Sequence, residues 1–194
     1  MLDAFVDVLL TWQRTTNLIA PSTVATIWTR HIADSLQLAP LAPDARLWID
    51  LGSGAGFPGL AIACALAAKD GVAVHLVESN SKKAAFLRDA IRATGAPAIV
   101  HAMRINDFAA SFEQKPDAVT ARALAPLPEL LALAYPLLKR GAVGVFPKGQ
   151  DVDAELTEAA KCWNIRSALT PSRTDPKGRI VVVHGLEPRS GSRG

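Results

Sequence analysis

The sequence predicts an α/β fold, with a mostly parallel sheet covered on both faces and a helical cap at the N-terminus. Three observations predict it. Short apolar runs recur between residues 47 and 184 and alternate with segments of helical length, the pattern of parallel strands buried on both sides. The first run ends in a glycine-rich turn that opens a helix, the place where open α/β sheets form their crevice. Ahead of it, residues 1–39 carry helical rather than alternating periodicity.

Each element follows from a local signal. Leu2, Phe5, Val6, Leu9 and Leu10 recur at helical spacing, and a second helix over Thr23 to Leu38 follows the Pro21-Ser22 break. Pro40 and Pro43 then punctuate a linker. Strands are expected at Leu47 to Leu51, Val72 to Val77, Ala98 to Val100, Ala118 to Val119 and Ala142 to Phe146, with helices near 58–69, 81–94 and 127–140. Residues 102–116 read as a loop with one turn of helix at most. After a helix at about 151–161, the runs Ile165 to Leu169 and Arg179 to His184 suit an antiparallel hairpin closing the sheet edge, which makes seven strands. The tail 187–194 is expected to be disordered, leaving one domain over 1–186, with its cap at 1–39 and its core at 46–186.

Composition excludes several classes. The chain has 194 residues, 49% hydrophobic and 20% charged, which is ordinary globular usage. Its longest apolar run, Leu60 to Ala68, falls far short of the ~20 residues needed to cross a bilayer. The start Met1-Leu2-Asp3 has no basic stretch ahead of an apolar one, so a cytoplasmic protein is expected. Cys64 and Cys162 are isolated, which argues against a disulfide framework or a zinc site, and both read as small core residues. No metal is expected, and the chain is read as a monomer. The net charge is only +3, but from Lys139 onward ten basic residues face six acidic ones. Such an excess guides a polyanion only if it gathers on one face.

The most informative segment is Asp50-Leu51-Gly52-Ser53-Gly54-Ala55-Gly56-Phe57-Pro58-Gly59. Glycines let the backbone turn tightly and approach a ligand with no Cβ in the way. Gly54, Gly56 and Gly59 formally fit a dinucleotide fingerprint, but the frame is wrong: in that motif the first glycine follows the strand directly, and counting from Gly52 the third position is Phe57. Asp50 beside the loop would repel a pyrophosphate and suit a cationic ligand. S-adenosyl-L-methionine carries a sulfonium and an ammonium, and Glu78 after the second strand is placed to accept from two ribose hydroxyls. Spacing and charge favour S-adenosylmethionine over a dinucleotide.

These residues carry a resemblance. The chain resembles the bacterial 16S rRNA (guanine-N7) methyltransferase G family, also called glucose-inhibited division protein B, over nearly its whole length. The match rests on Asn17-Leu18, Arg30-His31-Ile32-Ala33-Asp34-Ser35-Leu36, the 50–59 loop, Glu78-Ser79-Asn80-Ser81-Lys82-Lys83, Phe86-Leu87-Arg88, Arg104, Ala121-Arg122-Ala123 and Lys148-Gly149-Gln150. It implies a Rossmann-like class I methyltransferase sheet and cofactor contacts at Gly52, Phe57, Ile105, Asn106 and Arg122, with Glu78 as the ribose partner. Asn106 departs from the family's usual Glu, keeping an acceptor and losing a charge. The N-terminus is about one helix shorter than is usual. The substrate implied is guanosine 527 in the 530 loop of 16S rRNA, on naked RNA or on a small-subunit particle, with S-adenosyl-L-homocysteine as the other product.

Guanine N7 has an in-plane lone pair and no proton, so its methylation needs positioning and no general base. The sequence agrees by omission. The segment Ala121 to Pro126 lacks the Asp/Asn-Pro-Pro-aromatic loop typical of exocyclic-amine methylation, and neither cysteine is placed for attack on cytosine C5. Arg122 should lie beside the cofactor, bonding its carboxylate or the guanine edge, or forming a structural salt bridge. Lys82 and Lys83 open a helix where the dipole disfavours cations, which makes them candidates for phosphate contact. Arg30, Arg104, Lys148 and Arg179 are further candidates for the RNA face, while Arg30-His31-Asp34 reads as a network packing the cap over the cleft. The rival readings are a small-molecule or protein methyltransferase on the same fold, and a binding protein without turnover.

Overall fold

A computed structural model describes residues 1–189. Its centre is a seven-stranded sheet in the order β3-β2-β1-β4-β5-β7-β6. The strands are β1 Leu47–Leu51, β2 Ala73–Val77, β3 Ala98–His101, β4 Ala118–Thr120, β5 Val143–Lys148, β6 Trp163–Pro171 and β7 Arg179–Pro188. Strands β1 to β5 pair in parallel, while β7 runs antiparallel to both β5 and β6. The chain reverses its direction of travel across the sheet between β1 and β4. A crevice must open there at the carboxyl ends of the strands.

Strand alternation divides the apolar residues into two cores. Trp48 points into one with Val74, Leu76, Phe86 and the cap residues Phe5 and Leu9. Ile49 and Leu51 point into the other with Phe108, Leu130, Leu131 and Phe146. Helices α1 (Leu2–Gln13), α3 (Gly59–Leu66) and α4 (Ser81–Thr94) serve the first face; α5 (Ile105–Ser111), α6 (Leu127–Leu138) and α7 (Val152–Ala159) serve the second. Helix α4 begins and ends where its sequence says, because Asn80 accepts from the Lys82 and Lys83 amides and Gly95 closes it at φ 66°.

Four expectations change. The second cap helix is irregular: Pro21–Thr26 forms 3₁₀ turns, Trp28–Ala33 a π-helical stretch, and only Asp34–Leu36 (α2) is α-helical. Thr23, Thr26 and Thr29 each bond back to the carbonyl three residues earlier, which competes with the regular ladder. The loop expected at 102–116 contains α5, whose Ile105, Phe108 and Ala109, with Phe112 just past its end, carry a helical spacing. The terminal hairpin is longer than expected, so Glu187 and Pro188 belong to β7; residues 190–194 of the expected tail lie outside the described residues. Cys162 is exposed just ahead of β6, whereas Cys64 is buried.

Gly59 fixes how closely α3 meets the sheet. A Cβ there would lie 2.5 Å from Asp50 Cβ and 2.6 Å from Leu76 Cδ2, both firmly packed. Gly59→Ala should therefore cost about 3 kcal/mol by overpacking, lowering the thermal midpoint by about 6–12 °C. An unchanged melting curve would show that α3 can shift.

His75 on β2 and His101 on β3 stack at 5.0 Å with Nδ1 and Nε2 2.8 Å apart, enclosed by Phe108 and Phe112. Burial, then the neighbouring His101, pushes His75 down to about 4. The unfolded chain thus takes up this proton first, near pH 6.5. Stability from His75 is complete above that pH and is lost progressively down to about pH 4, by up to about 3 kcal/mol. His75→Gln should flatten the fall of the thermal midpoint between pH 7 and 4.5; an equal slope in both proteins would assign that fall to other groups.

Candidate active site

The loop after β1 is held from beneath. Gly52 and Ser53 donate their amides to Val77 O at 2.9 and 3.0 Å, and the Gly56 amide donates to Ser53 O at 2.7 Å. Gly54 N donates to Glu78 Oε2 at 2.9 Å, and the other oxygen of Glu78 accepts from Asn80 N at 2.7 Å. A phosphate-binding loop aims such amides at its ligand. Here four of them are spent inside the protein, one on a carboxylate, which disfavours a pyrophosphate. Gly52 and Gly54 sit at φ 68° and 52°, a region costly for any residue with a Cβ.

Above the loop lies a cleft of about 780 Å³, lined by Gly52, Gly54, Glu78, Ser79, Lys83, Arg104, Ile105, Asn106, Leu124 and neighbours. Its size suits a nucleoside-containing ligand. Glu78 is 8% exposed and forms its acidic wall, while Ile105 and Leu124 supply apolar surface. Gly52, Gly54, Glu78, Ile105 and Asn106 are thus brought together from the ends of β1, β2 and β3. Lys83 and Arg104 rim this cleft, and Lys82 is exposed beside it.

Asp50 and Phe57 do not line it. Asp50 is fully buried under the loop, where Thr120 Oγ1 donates to Oδ1 at 2.9 Å and Oδ2 has no hydrogen-bond partner among the described residues. Burial pushes its carboxyl up to about 6, against the opposing effects of the Ser53 and Thr120 hydroxyls. The expectation of a carboxylate facing a cationic ligand fails, because the side chain alternates inward from the strand. Phe57 is buried between Phe5 and His31, with ring centroids 5.1 and 5.0 Å away. It supports the cap instead of presenting its ring to the cleft.

A second lobe of about 410 Å³ adjoins the first at Ala123. Arg122, two residues past the end of β4, reaches it from the sheet; the cap contributes Arg30, His31 and Asp34. Arg122 Nη1 donates to Asp34 Oδ2 and to Arg30 O, both at 3.1 Å, and Nη2 donates to His31 Nδ1 at 2.8 Å. The guanidinium lies 5.3 Å from the Phe57 centroid. Ala123 is the one non-glycine residue with positive φ among those described, at 52°. Such strain costs about 1–3 kcal/mol and persists where the surrounding structure demands it; here it turns Leu124 back over Gly52 while Arg122 faces the other lobe.

The far wall is the 172–178 connection, latched to the cap by Gln37, which donates to Ser172 Oγ and Thr174 Oγ1 at 3.2 Å and accepts from Arg173 N at 2.8 Å. Thr174 Oγ1 also donates to Asp34 Oδ1 at 2.6 Å. Sequence reading missed this latch, whose partners lie about 135 residues apart and have no local signature. The basic candidates divide. Arg30 is exposed and only 3.6 Å from Asp175, and Arg179 is half-buried with its guanidinium on the Pro176 and Gly178 carbonyls. Lys148 is no free cation: its ammonium is 2.6 Å from Glu155 and 3.0 Å from Ala125 O, with the side chain 10% exposed. It ties β5 to α7 and to the start of α6.

Residues 1–177 match the family described as GidB, rRNA small subunit methyltransferase G. The chain belongs to this family. It is 59% identical to a ribosomal RNA small subunit methyltransferase G from Bradyrhizobium sp. strain BTAi1, over 96% of this chain and 84% of that one. It is 57% identical to the protein of the same name from Nitrobacter hamburgensis, over 97% and 72%. The fold is that of solved methyltransferases: an O-methyltransferase from Bacillus cereus superposes with a TM-score of 0.62 at 15% identity, covering 94% of this chain and 91% of that one. The O-methyltransferase TomG from Streptomyces achromogenes gives 0.59 at 15%, covering 93% and 89%. In this methyltransferase G family member the cleft and the second lobe adjoin at Ala123.

Proposed function

We propose that this enzyme transfers a methyl group to N7 of guanosine 527 in the 530 loop of 16S rRNA, acting as a cytoplasmic monomer on the RNA or on a small-subunit precursor. The single observation that carries the reading is the pair of adjoining lobes, one with a glycine floor and an acidic wall, the other with an arginine and exposed polar groups. The residues present fit S-adenosylmethionine: Glu78 offers its carboxylate, Gly52 and Gly54 give close backbone approach, and Ile105 with Asn106 forms the opposite side. When bound, this cofactor supplies an electrophilic methyl group.

The protein's own residues then have a positioning task. Arg122 lines the second lobe beside Ala123, the residue the two lobes share, and donates hydrogen bonds, so it holds either the guanine O6 or the cofactor carboxylate, while N7 stays free as the nucleophile. No described residue in the second lobe needs to remove a proton, since N7 has none. Well-oriented reactants gain effective molarities of about 10⁵–10⁸ M, enough for a transfer without acid–base help. RNA is recognised through unstacked bases and its backbone, which suits a loop target, the exposed Arg30, Lys82 and Arg104, and the half-buried Lys83.

The test supplies labelled cofactor and small subunits from cells lacking this protein, then maps the labelled base. Label at N7 of guanosine 527 is expected. Label on another base would overturn the position, label only on protein or metabolites would favour the rival methyltransferases, and cofactor binding with no transfer would favour a binding protein.

A further inference from the structure

The side-chain network beside Arg122 has a direction fixed at both ends. A guanidinium N–H only donates, so His31 Nδ1, 2.8 Å from Nη2, must be the accepting nitrogen. The ring proton then sits on Nε2, which is 2.8 Å from Thr23 Oγ1. Thr23 in turn donates its hydroxyl to Ala20 O at 2.8 Å, leaving its lone pairs to receive the histidine proton. A carbonyl can only accept. The chain Arg122 to His31 to Thr23 to Ala20 can therefore run one way only, and it requires a neutral histidine in the Nε2–H form.

Geometry holds the ring in that role. His31 stacks on Phe57 at 5.0 Å with planes 21° apart, and Phe57 is buried against Phe5. Three acceptors for Arg122, namely Arg30 O, His31 Nδ1 and Asp34 Oδ2, come from a five-residue span of the π-helical turn and its continuation. π-Helical turns occur frequently at functional sites. Asp34 is shared, since Thr174 and Gln37 also donate to it. His31 has no such second claim on Nδ1 among the described residues. Burial first, and the nearby Arg122 cation second, push the ring down to about 4, so it stays an acceptor at neutral pH.

We propose that His31 is a positioning residue for methyl transfer, its neutral Nδ1 fixing Arg122 in the wall of the second lobe, beside its junction with the cofactor cleft. The proposal rests on the part assigned to Arg122 above. Three of the five guanidinium hydrogens are engaged by the cap, and the Nε hydrogen with the second Nη2 hydrogen remains for the reacting partners. Without the Nδ1 contact the guanidinium rotates about its remaining Nη1 bonds, and those two hydrogens leave their place.

The experiment is steady-state methylation of small subunits lacking the mark, with kcat and the cofactor KM measured for variants of the full chain. His31→Phe keeps the stack on Phe57 and removes the acceptor; kcat should fall roughly tenfold, with the cofactor KM moving only if Arg122→Ala also moves it. His31→Asn places its amide oxygen near the Nδ1 position and should recover kcat to within about threefold of the parent. His31→Gln reaches the Nε2 position and should stay slow. Combining His31→Phe with Arg122→Ala should be no slower than Arg122→Ala alone. Full kcat in His31→Phe, equal rates for the Asn and Gln variants, or multiplying losses in the double variant would overturn the proposal. Should His31→Phe fail to fold, the Asn and Gln comparison decides by itself. A slow Arg122→Ala beside a normal His31→Phe removes only the His31 role; a normal Arg122→Ala removes the reading beneath it as well.

Discussion

Arg122→Ala is expected to slow methyl transfer about 100-fold while the protein remains folded. The side chain is 19% exposed and makes three hydrogen bonds to the cap and a cation–π contact with Phe57. Its removal leaves Asp34 Oδ1 with donors from Gln37 and Thr174, while Oδ2 gives up its ion pair and, on a side chain 18% exposed, turns to water. The stability loss should stay near ~1.5–3 kcal/mol, the range for a hydrogen bond to a charged group. Displacement of a reacting group by ~1 Å costs about 10²-fold in rate, and Arg122 is the donor best placed to prevent it. A fall in kcat alone would assign it to the guanine, whereas a raised cofactor KM would assign it to the cofactor carboxylate. A normal kcat and KM in a folded variant would take Arg122 out of the site.

Glu78→Ala should weaken cofactor affinity at least ~100-fold. Two effects act together. The carboxylate is the acidic wall of the cleft, and hydrogen bonds to a charged group contribute about 1.5–3 kcal/mol each, so two ribose hydroxyls suffice for a loss of this size. The same oxygens hold Gly54 N and Asn80 N, so the variant also frees the glycine loop and the entry to α4. Glu78→Gln keeps one acceptor and should fall between the two. Calorimetric titration with S-adenosylhomocysteine measures the series directly. Equal affinity for all three proteins would show that the cofactor does not contact this wall.

Local chemistry made most of the architecture legible. Strand β1 and helix α4 lie where their patterns place them, because apolar continuity, the Asn80 cap and Gly95 act within a few residues. The cap segment 23–38 is legible as helical but not as 3₁₀ and π turns, since the threonine hydroxyls that compete with its ladder act only once the backbone is formed. In the site, Gly52, Gly54, Glu78, Ile105 and Asn106 converge on one cleft because each follows, or lies close behind, the carboxyl end of a parallel strand. Asp50 and Lys148 went otherwise. Asp50 faces inward by strand alternation, and Lys148 meets Glu155, a partner no spacing rule would select.

The sequence by itself determined the order of strands, the two-sided sheet and the glycine loop, because hydrophobic periodicity, caps and glycine conformations are short-range properties. It also singled out Arg122, His31 and Asp34 as residues of interest. Only the tertiary structure decided that these three form one network on Phe57, that Gln37 latches residues 172–174 to the cap, and that His75 pairs with His101. The reason is physical. Such contacts join positions 26 to 140 residues apart, and their energies depend on burial and direction that exist only after the chain has closed around them.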